Sequence, residues 1–315
     1  IAERGEFTKR AFLNGIIDLT QAEGINDLIN AETENQFKLS ISQYDGSLYK
    51  KLEFWRNDII FLISKLEALI DFSDEELPVE IEALFQEKIL FLLKDMKSSI
   101  KFSNYGERIR NGFVITILGK PNVGKSSLIN YLSKKKVAIV TEEAGTTRDV
   151  LEVFLDFDGF PVILNDTAGL RKTNSNVEKI GINRALKKAE ISDLILILSD
   201  SGDYFIPEIK TGTKKILVHT KSDLKKEYSN CGHKISVKNH QGINELIKII
   251  TDYLHTTIPK ENVLLTRKRH IQGVKKAVSA LKQISNINLD VNPELAAEDL
   301  RIAATEIGKI TNIID

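Results

Sequence analysis

The chain has 315 residues, 42% of them hydrophobic, which suffices for two domains with separate cores. Lys+Arg and Asp+Glu both total 44, so zero net charge excludes a general attraction to nucleic acid and leaves only local patches. One cysteine, Cys231, excludes an internal disulfide and, with five scattered histidines, a zinc site.

That lone thiol fits a reducing cytoplasm, and no apolar run is long enough to span a membrane. Because the chain opens at Ile1 without a methionine, a preceding segment is expected to be missing, which leaves a targeting sequence open. Residues before about 110 read as helices. Thr20-Gln-Ala-Glu23 matches a capping box and is expected to open a helix carrying Ile25, Leu28 and Ile29. Leu48, Leu52, Trp55, Ile59, Leu62, Leu66 and Leu69 step by fours and threes, which predicts one long helix with a single apolar stripe. Phe85, Ile89, Leu92 and Met96 repeat the pattern after a break at Asp74-Glu-Glu-Leu-Pro78. The aromatic members read as core rather than cofactor contacts.

From 112 to 257 strand and helix alternate, the pattern of a doubly wound α/β domain. The apolar strand Phe113-Val-Ile-Thr-Ile-Leu118 runs into Gly-Lys-Pro-Asn-Val-Gly-Lys-Ser at 119–126, a complete G-x-x-x-x-G-K-S phosphate loop, and a helix continues from Ser127. Gly119 and Gly124 let the backbone of Asn122, Val123 and their neighbours wrap close to phosphate oxygens. Lys125 is expected to bridge the β- and γ-phosphates, and the Ser126 hydroxyl to ligate Mg²⁺. Next, Thr141, Glu142, Glu143, Ala144, Gly145, Thr146 and Thr147 read as a first switch loop, in which a threonine closes on Mg²⁺ and the γ-phosphate. The residues alone do not choose between the adjacent threonines.

The strand Pro161-Val-Ile-Leu164 ends in Asn165, Asp166, Thr167, Ala168 and Gly169. Asp166 is placed to hold a water on Mg²⁺, and Gly169 to turn its N–H toward the γ-phosphate. A further strand, Lys215-Ile-Leu-Val-His219, precedes Thr220, Lys221, Ser222 and Asp223. The Asp223 carboxylate can accept from guanine N1–H and N2–H₂, a donor pair that adenine lacks. Ser236, Val237 and Lys238 resemble the short loop whose backbone N–H reads guanine O6. GTPases usually carry Asn at position 220, where its amide ties the base loop to the phosphate loop. A single threonine hydroxyl is expected to weaken that tie and to leave guanine specificity with Asp223.

After Pro259 helices return, with Ile271, Val274, Val278 and Leu281 on one face, then Asn292 and Pro293 starting a last helix. The basic runs Lys134-Lys-Lys136 and Arg267-Lys-Arg-His270 read as solvated helix ends, not RNA contacts. The fold class is therefore α/β plus all-α. A P-loop G domain with a doubly wound mixed sheet, residues 111–261, is inserted into a helical-bundle domain formed from 1–110 and 262–315.

Gly5-Glu-Phe-Thr-Lys-Arg-Ala-Phe-Leu-Asn-Gly15 and Asp18-Leu-Thr-Gln-Ala-Glu23 resemble the segment after the folate-binding domain of the MnmE (TrmE) tRNA-modification GTPases. The phosphate loop, Ala144-Gly-Thr-Thr-Arg-Asp149 and Asp166-Thr-Ala-Gly-Leu-Arg171 are similar to that family's GTPase motifs. The resemblance implies a cytoplasmic homodimer that acts with an FAD-dependent MnmG-type partner on the wobble uridine of tRNA. There it adds an aminomethyl or carboxymethylaminomethyl group from a folate-derived one-carbon unit. It also implies potassium-activated hydrolysis of GTP between paired G domains. Asn122 and Thr146 would give side chains to K⁺, Thr141 and Glu143 backbone oxygens. Thr147 would join Ser126 on Mg²⁺, and Glu178 would orient the attacking water, with Arg148 and Arg171 as the finger alternatives to potassium. The family's folate-binding domain and Cys-Ile-Gly-Lys-type tail lie outside these residues, and Ile16 stands where a folate-contacting lysine is common. Folate binding and unaided tRNA modification are therefore not expected of these residues. Two other readings compete: a non-catalytic guanine-nucleotide switch that recruits partners, and an Era-type ribosome-assembly GTPase. The latter predicts a βα RNA-binding domain after Pro259.

Overall fold

The computed structural model describes residues 2–71, 79–134, 152–166, 187–204, 212–224, 232–259, 262–284 and 292–312. In chain order its elements are α1 (Glu6–Leu13), α2 (Leu19–Ile29), α3 (Glu34–Tyr44), α4 (Ser47–Asp71), α5 (Val79–Asn111), β1 (Phe113–Gly119) and α6 (Lys125–Lys134). They continue with β2 (Glu152–Phe157), β3 (Phe160–Asp166), β4 (Leu194–Ser199), β5 (Lys214–His219), β6 (His233–Lys234), α7 (Ile243–Thr256), α8 (Lys268–Ile284) and α9 (Pro293–Thr311). The chain forms two compact units: Ile1–Ala31 with Phe37–Arg110 and Pro259–Asp315, and Glu32–Gln36 with Asn111–Ile258.

The first unit is helical, and its core is the predicted stripes. Leu48, Leu52, Trp55, Ile59, Leu62 and Leu66 of α4 are buried in one cluster with Phe85, Ile89, Leu92 and Met96 of α5. Ile271, Val274, Val278 and Leu281 of α8 and Ala297, Leu300, Ala303 and Ile307 of α9 complete it. Burying each large aliphatic side chain contributes about 1.5–3 kcal/mol. Trp55 also finds a partner for its ring nitrogen, which donates to Asp95 Oδ2 at 2.9 Å. The break expected at 74–78 and the side chain of Leu69 lie outside the described residues.

Two expectations need correction here. The N-cap of α2 is Asp18, whose carboxylate accepts from Thr20 and Gln21 backbone N–H, while the Gln21 side chain accepts from Asp18 N–H. The capping box thus sits two residues earlier than Thr20–Glu23, because Glu23 is engaged elsewhere; α2 also leaves Ile29 exposed. The second correction concerns Arg267-Lys-Arg-His270, which is mostly not a solvated run. Arg269 Nε and Nη2 donate to the two Glu23 oxygens at 2.7 Å each, and His270 Nε2 lies 2.9 Å from Glu23 Oε2. Arg267 Nη2 reaches Asp27 Oδ1 at 2.8 Å, and Arg110 Nε bridges both Asp27 oxygens at 3.1 Å. Burial raises the Glu23 pKa, yet the His270 and Arg269 hydrogen bonds prevail and hold it at about 2. Burial in turn pushes the His270 imidazole below its ordinary value.

The second unit is a six-stranded sheet in the order β2-β3-β1-β4-β5-β6. β2 runs antiparallel to β3, and every other neighbouring pair is parallel. The β2–β3 hairpin closes through Asp158 and Gly159, whose φ angles of 55° and 85° suit a two-residue turn that twists with its strands. All six residues of β4 are buried, as a central parallel strand covered on both faces requires. Parallel register brings the carboxyl ends of β1, β3, β4 and β5 to one edge: Ile117 lies beside Asp166, Gly119 beside Leu198, and Ser199 beside His219. In such sheets ligands gather outside that edge.

Candidate nucleotide-binding site

The first loop at this edge is the phosphate loop. β1 ends at Gly119 with φ 154°, where a Cβ would stand 2.5 Å from Leu198 O. No side chain fits there. Asn122 follows with φ 62° and Gly124 with φ 101°, so the loop curls through successive left-handed residues before α6 begins at Lys125. Such a curl ahead of a helix N-terminus is a backbone anion site. Val123 is buried, whereas Asn122 at the crest and Ser127 are exposed and Ser126 is half-buried. Lys125 Nζ donates to Gly119 O and Lys120 O at 2.8 Å each. These bonds hold the ammonium within the loop, aligned for an anion that enters it.

The second loop follows β5. Thr220 is buried, and its hydroxyl donates to Val123 O at 2.6 Å, with Ser199 O at 3.3 Å as a second acceptor. A hydroxyl thus ties the base loop to the phosphate loop, where weakening was expected from the lost amide. Lys221, with φ 55°, places Nζ 2.6 Å from Asp200 Oδ2. Lys221 holds the Asp200 carboxyl below its ordinary pKa.

Asp223 is preset by the third loop. Ser236 is fully buried and donates its hydroxyl to Asp223 Oδ1 at 2.7 Å. This bond is the main reason the Asp223 pKa lies below the usual carboxylate value. Ser236 Oγ in turn accepts from Asn239 N–H at 3.2 Å, and the Ser236 and Gln241 backbones exchange two bonds of 3.0 Å. Ser222 N–H donates to Ile235 O at 3.1 Å and Ile235 N–H to His219 O at 2.7 Å, so the two loops are one framework. Val237 is half-buried and Lys238 exposed beside it.

The structure therefore brings Asn122, Val123, Gly124, Lys125, Ser126 and Ser127 to the same sheet edge as Thr220, Lys221, Asp223, Ser236, Val237 and Lys238. Asp166 ends β3 beside Ile117; its side chain lies outside the described residues. So do Thr141, Glu142, Glu143, Ala144, Gly145, Thr146, Thr147, Thr167, Ala168, Gly169 and Glu178. Sequence reasoning misses Asp200 and Ser199, although a carboxylate just past a strand that is apolar from Leu194 to Leu198 is the same signal that singles out Asp166. Among the described residues no group of three or more His, Cys, Asp or Glu side chains is arranged to hold a metal ion. A cation here would draw on neutral hydroxyl and amide oxygens together with anionic phosphate oxygens, hard donors that suit Mg²⁺ and K⁺.

The family model of the MnmE helical domain matches residues 19–315. The tRNA modification GTPase MnmE of Cereibacter sphaeroides (strain ATCC 17029 / ATH 2.4.9) is 40% identical over 317 residues, covering 100% of this chain and 73% of the relative. MnmE of Anaplasma marginale (strain St. Maries) is 40% identical over 327 residues, with 100% and 73% covered. Among solved structures, a point variant of Aquifex aeolicus Era bound to GDP.AlF4- is similar at 23% identity over 56% of this chain and 67% of its own, with a TM-score of 0.34. The cytosolic domain of the T. maritima FeoB iron transporter in GDP form II matches at 21% identity over 63% and 98%, with a TM-score of 0.32.

Proposed function

The chain belongs to the MnmE family of tRNA-modification GTPases, and on that premise we propose that its hydrolysis of GTP runs at the phosphate-loop and Asp223 site, is activated by potassium and is coupled to pairing of two nucleotide domains. It is a GTP hydrolase serving tRNA modification. The observation that carries the assignment of the site is the bond from Thr220 to Val123, which locks the base-reading loop onto the phosphate-reading loop. One nucleotide can then satisfy both ends at once. Lys125 exchanges two backbone carbonyls for phosphate oxygens on binding, so its charge is already in place and little reorganisation is needed. Gly119 and Gly124 admit the phosphates to the backbone, and Asp223, oriented by Ser236, accepts from the guanine N1–N2 edge.

Ser126, Thr147 and, through water, Asp166 would hold Mg²⁺; Asn122, Thr141, Glu143 and Thr146 would hold K⁺. Bound there, the cations would neutralise charge that develops on the phosphate oxygens. Gly169 would contact the γ-phosphate and Glu178 would orient the water. We place the nucleotide domain at 111–261 and the helical domain at 1–110 with 262–315, beside compact units that divide after Ile258 and give Glu32–Gln36 to the nucleotide unit. A homodimer working in the cytoplasm with an FAD-dependent partner on the tRNA wobble uridine completes the reading. The Era-type alternative finds no support after Pro259, where the described residues hold two long helices, α8 and α9, and no strand.

The test is turnover of GTP in potassium against sodium, with light scattering in the presence of a transition-state analogue. A rate of about one per second or more in potassium is expected, roughly a thousandfold above small GTPases acting alone. Asn122→Ala should abolish the stimulation and leave nucleotide binding largely intact. Equal rates in both salts without analogue-induced association would refute potassium activation and favour the non-catalytic switch.

A further inference from the structure

A guanine base carries three features that a pocket can read: the N1–H and N2–H₂ donors, the O6 acceptor, and the N7 acceptor beside O6. Asp223 is the acceptor suited to the first and the backbone of Val237 and Lys238 to the second. A base held so, with its phosphates in the loop at 119–126, turns N7 toward whatever lies between the O6-reading loop at 237–238 and the phosphate loop. Thr220 is that residue: it follows His219, whose carbonyl accepts from Ile235 N–H of the third loop at 2.7 Å, and has its Cβ 3.9 Å from where a Cβ on Gly124 would stand.

A threonine hydroxyl has one proton to donate. Here that proton is directed at Val123 O, 2.6 Å away, and the next acceptor in reach is another carbonyl, Ser199 O at 3.3 Å. Both neighbours are acceptors; rotating the hydroxyl toward N7 would leave the Val123 carbonyl without it, while Ser199 O keeps the Thr220 N–H at 2.9 Å. An asparagine amide carries two protons and could serve a loop carbonyl and N7 together. Threonine must serve one or the other, and the short bond to Val123 decides for the loop.

We propose that Thr220 makes this guanine site indifferent to N7: the pocket discriminates by the N1–N2 edge and O6 alone and, among the described residues, gives N7 no side-chain donor. The inference rests on the guanine-site reading above and goes beyond it, since it states which edge of the base is left unread. In consequence the site accepts guanine nucleotides altered at N7 without change of shape as readily as the natural ones.

The test is calorimetric titration of the full chain with GDP, 7-deaza-GDP (N7 replaced by C–H) and ADP. GDP and 7-deaza-GDP should bind within about twofold of one another, and ADP far more weakly. In Thr220→Asn a preference of about fivefold for GDP over 7-deaza-GDP should appear, the size of one net hydrogen bond. A fivefold or greater loss on 7-deazaguanine in the wild-type chain would overturn the inference while leaving GDP over ADP intact. Absence of a new preference in a folded Thr220→Asn chain would equally overturn the role given to position 220. Equal binding of GDP and ADP would overturn the guanine reading itself, and this inference with it.

Discussion

Thr220→Val removes one oxygen and keeps the branched shape, so it isolates the bond that joins the two nucleotide loops. Oγ1 lies 2.6 Å from Val123 O, and both residues are buried, at 2% exposure each. A net hydrogen bond is worth about 1 kcal/mol, and a carbonyl left inside without its donor costs about 1–3 kcal/mol. A methyl takes the place of the hydroxyl at nearly the same volume, so the cost is that of the lost hydroxyl and not of a cavity. A loss of about 2 kcal/mol of local stability follows, concentrated in the loop at 119–125. If that lowers the fraction of loops held ready for nucleotide, apparent affinity for GDP falls by the same fraction, up to about thirtyfold. Trp55, the only tryptophan, sits in the helical unit and is a poor reporter of this change. Hydrogen exchange does report it, because Thr220 N–H donates to Ser199 O at 2.9 Å and Leu128 N–H to Gly124 O at 3.0 Å, and both amides should exchange faster. Unaltered exchange at these amides, together with GDP affinity within twofold of wild type, would refute the claim that the hydroxyl holds the loops together.

Acid should weaken the helical unit through Glu23. Its folded pKa of about 2 lies below the ordinary 4.5, so the carboxylate's contribution is complete above about pH 4.5 and drains as pH falls toward 2. The shift corresponds to about 3 kcal/mol, and His270, held below 6.5 by burial, adds a further loss as the unfolded imidazole protonates. Denaturant unfolding followed by Trp55 fluorescence should show this slope, and Glu23→Gln should flatten it below pH 4.5; an unchanged slope in that variant would place the titration elsewhere. Ser236→Ala should leave Asp223 without its orienting hydroxyl and weaken GDP binding about fivefold with ADP unaffected, as read by calorimetry. Equal GDP affinity would show that Asp223 needs no presetting.

Much of the fold is legible because periodicity reports burial directly. The stripes from Leu48 to Leu66 and from Phe85 to Met96 are the core of the helical unit, and the run before Gly119 is β1. What escapes the sequence is pairing across long separations. Arg267-Lys-Arg-His270 has the composition of a solvated end, and only Glu23 and Asp27, some 240 positions earlier, turn it into an internal ion network. The capping box shifts for the same reason. Asp18-x-x-Gln21 and Thr20-x-x-Glu23 both fit the pattern, and the engagement of Glu23 by Arg269 and His270 decides between them. In the nucleotide site the residue types were legible but their partners were not. Counting donors at position 220 suggests a weaker tie, whereas a single well-aimed hydroxyl suffices for the loop. Its cost falls on N7 instead.

Asp223 is the proposed reader of guanine, and the assignment of the nucleotide site turns on it. Asp223→Asn exchanges an acceptor for a donor where the base presents N1–H and N2–H₂, and xanthine offers an acceptor at position 2 instead. The decisive measurement is hydrolysis of GTP and xanthosine triphosphate by wild type and Asp223→Asn in potassium. A loss of GTP turnover at micromolar substrate, matched by a gain with xanthosine triphosphate, is the predicted result. Unchanged GTP turnover with no gain for the xanthine nucleotide would contradict the assignment of the site.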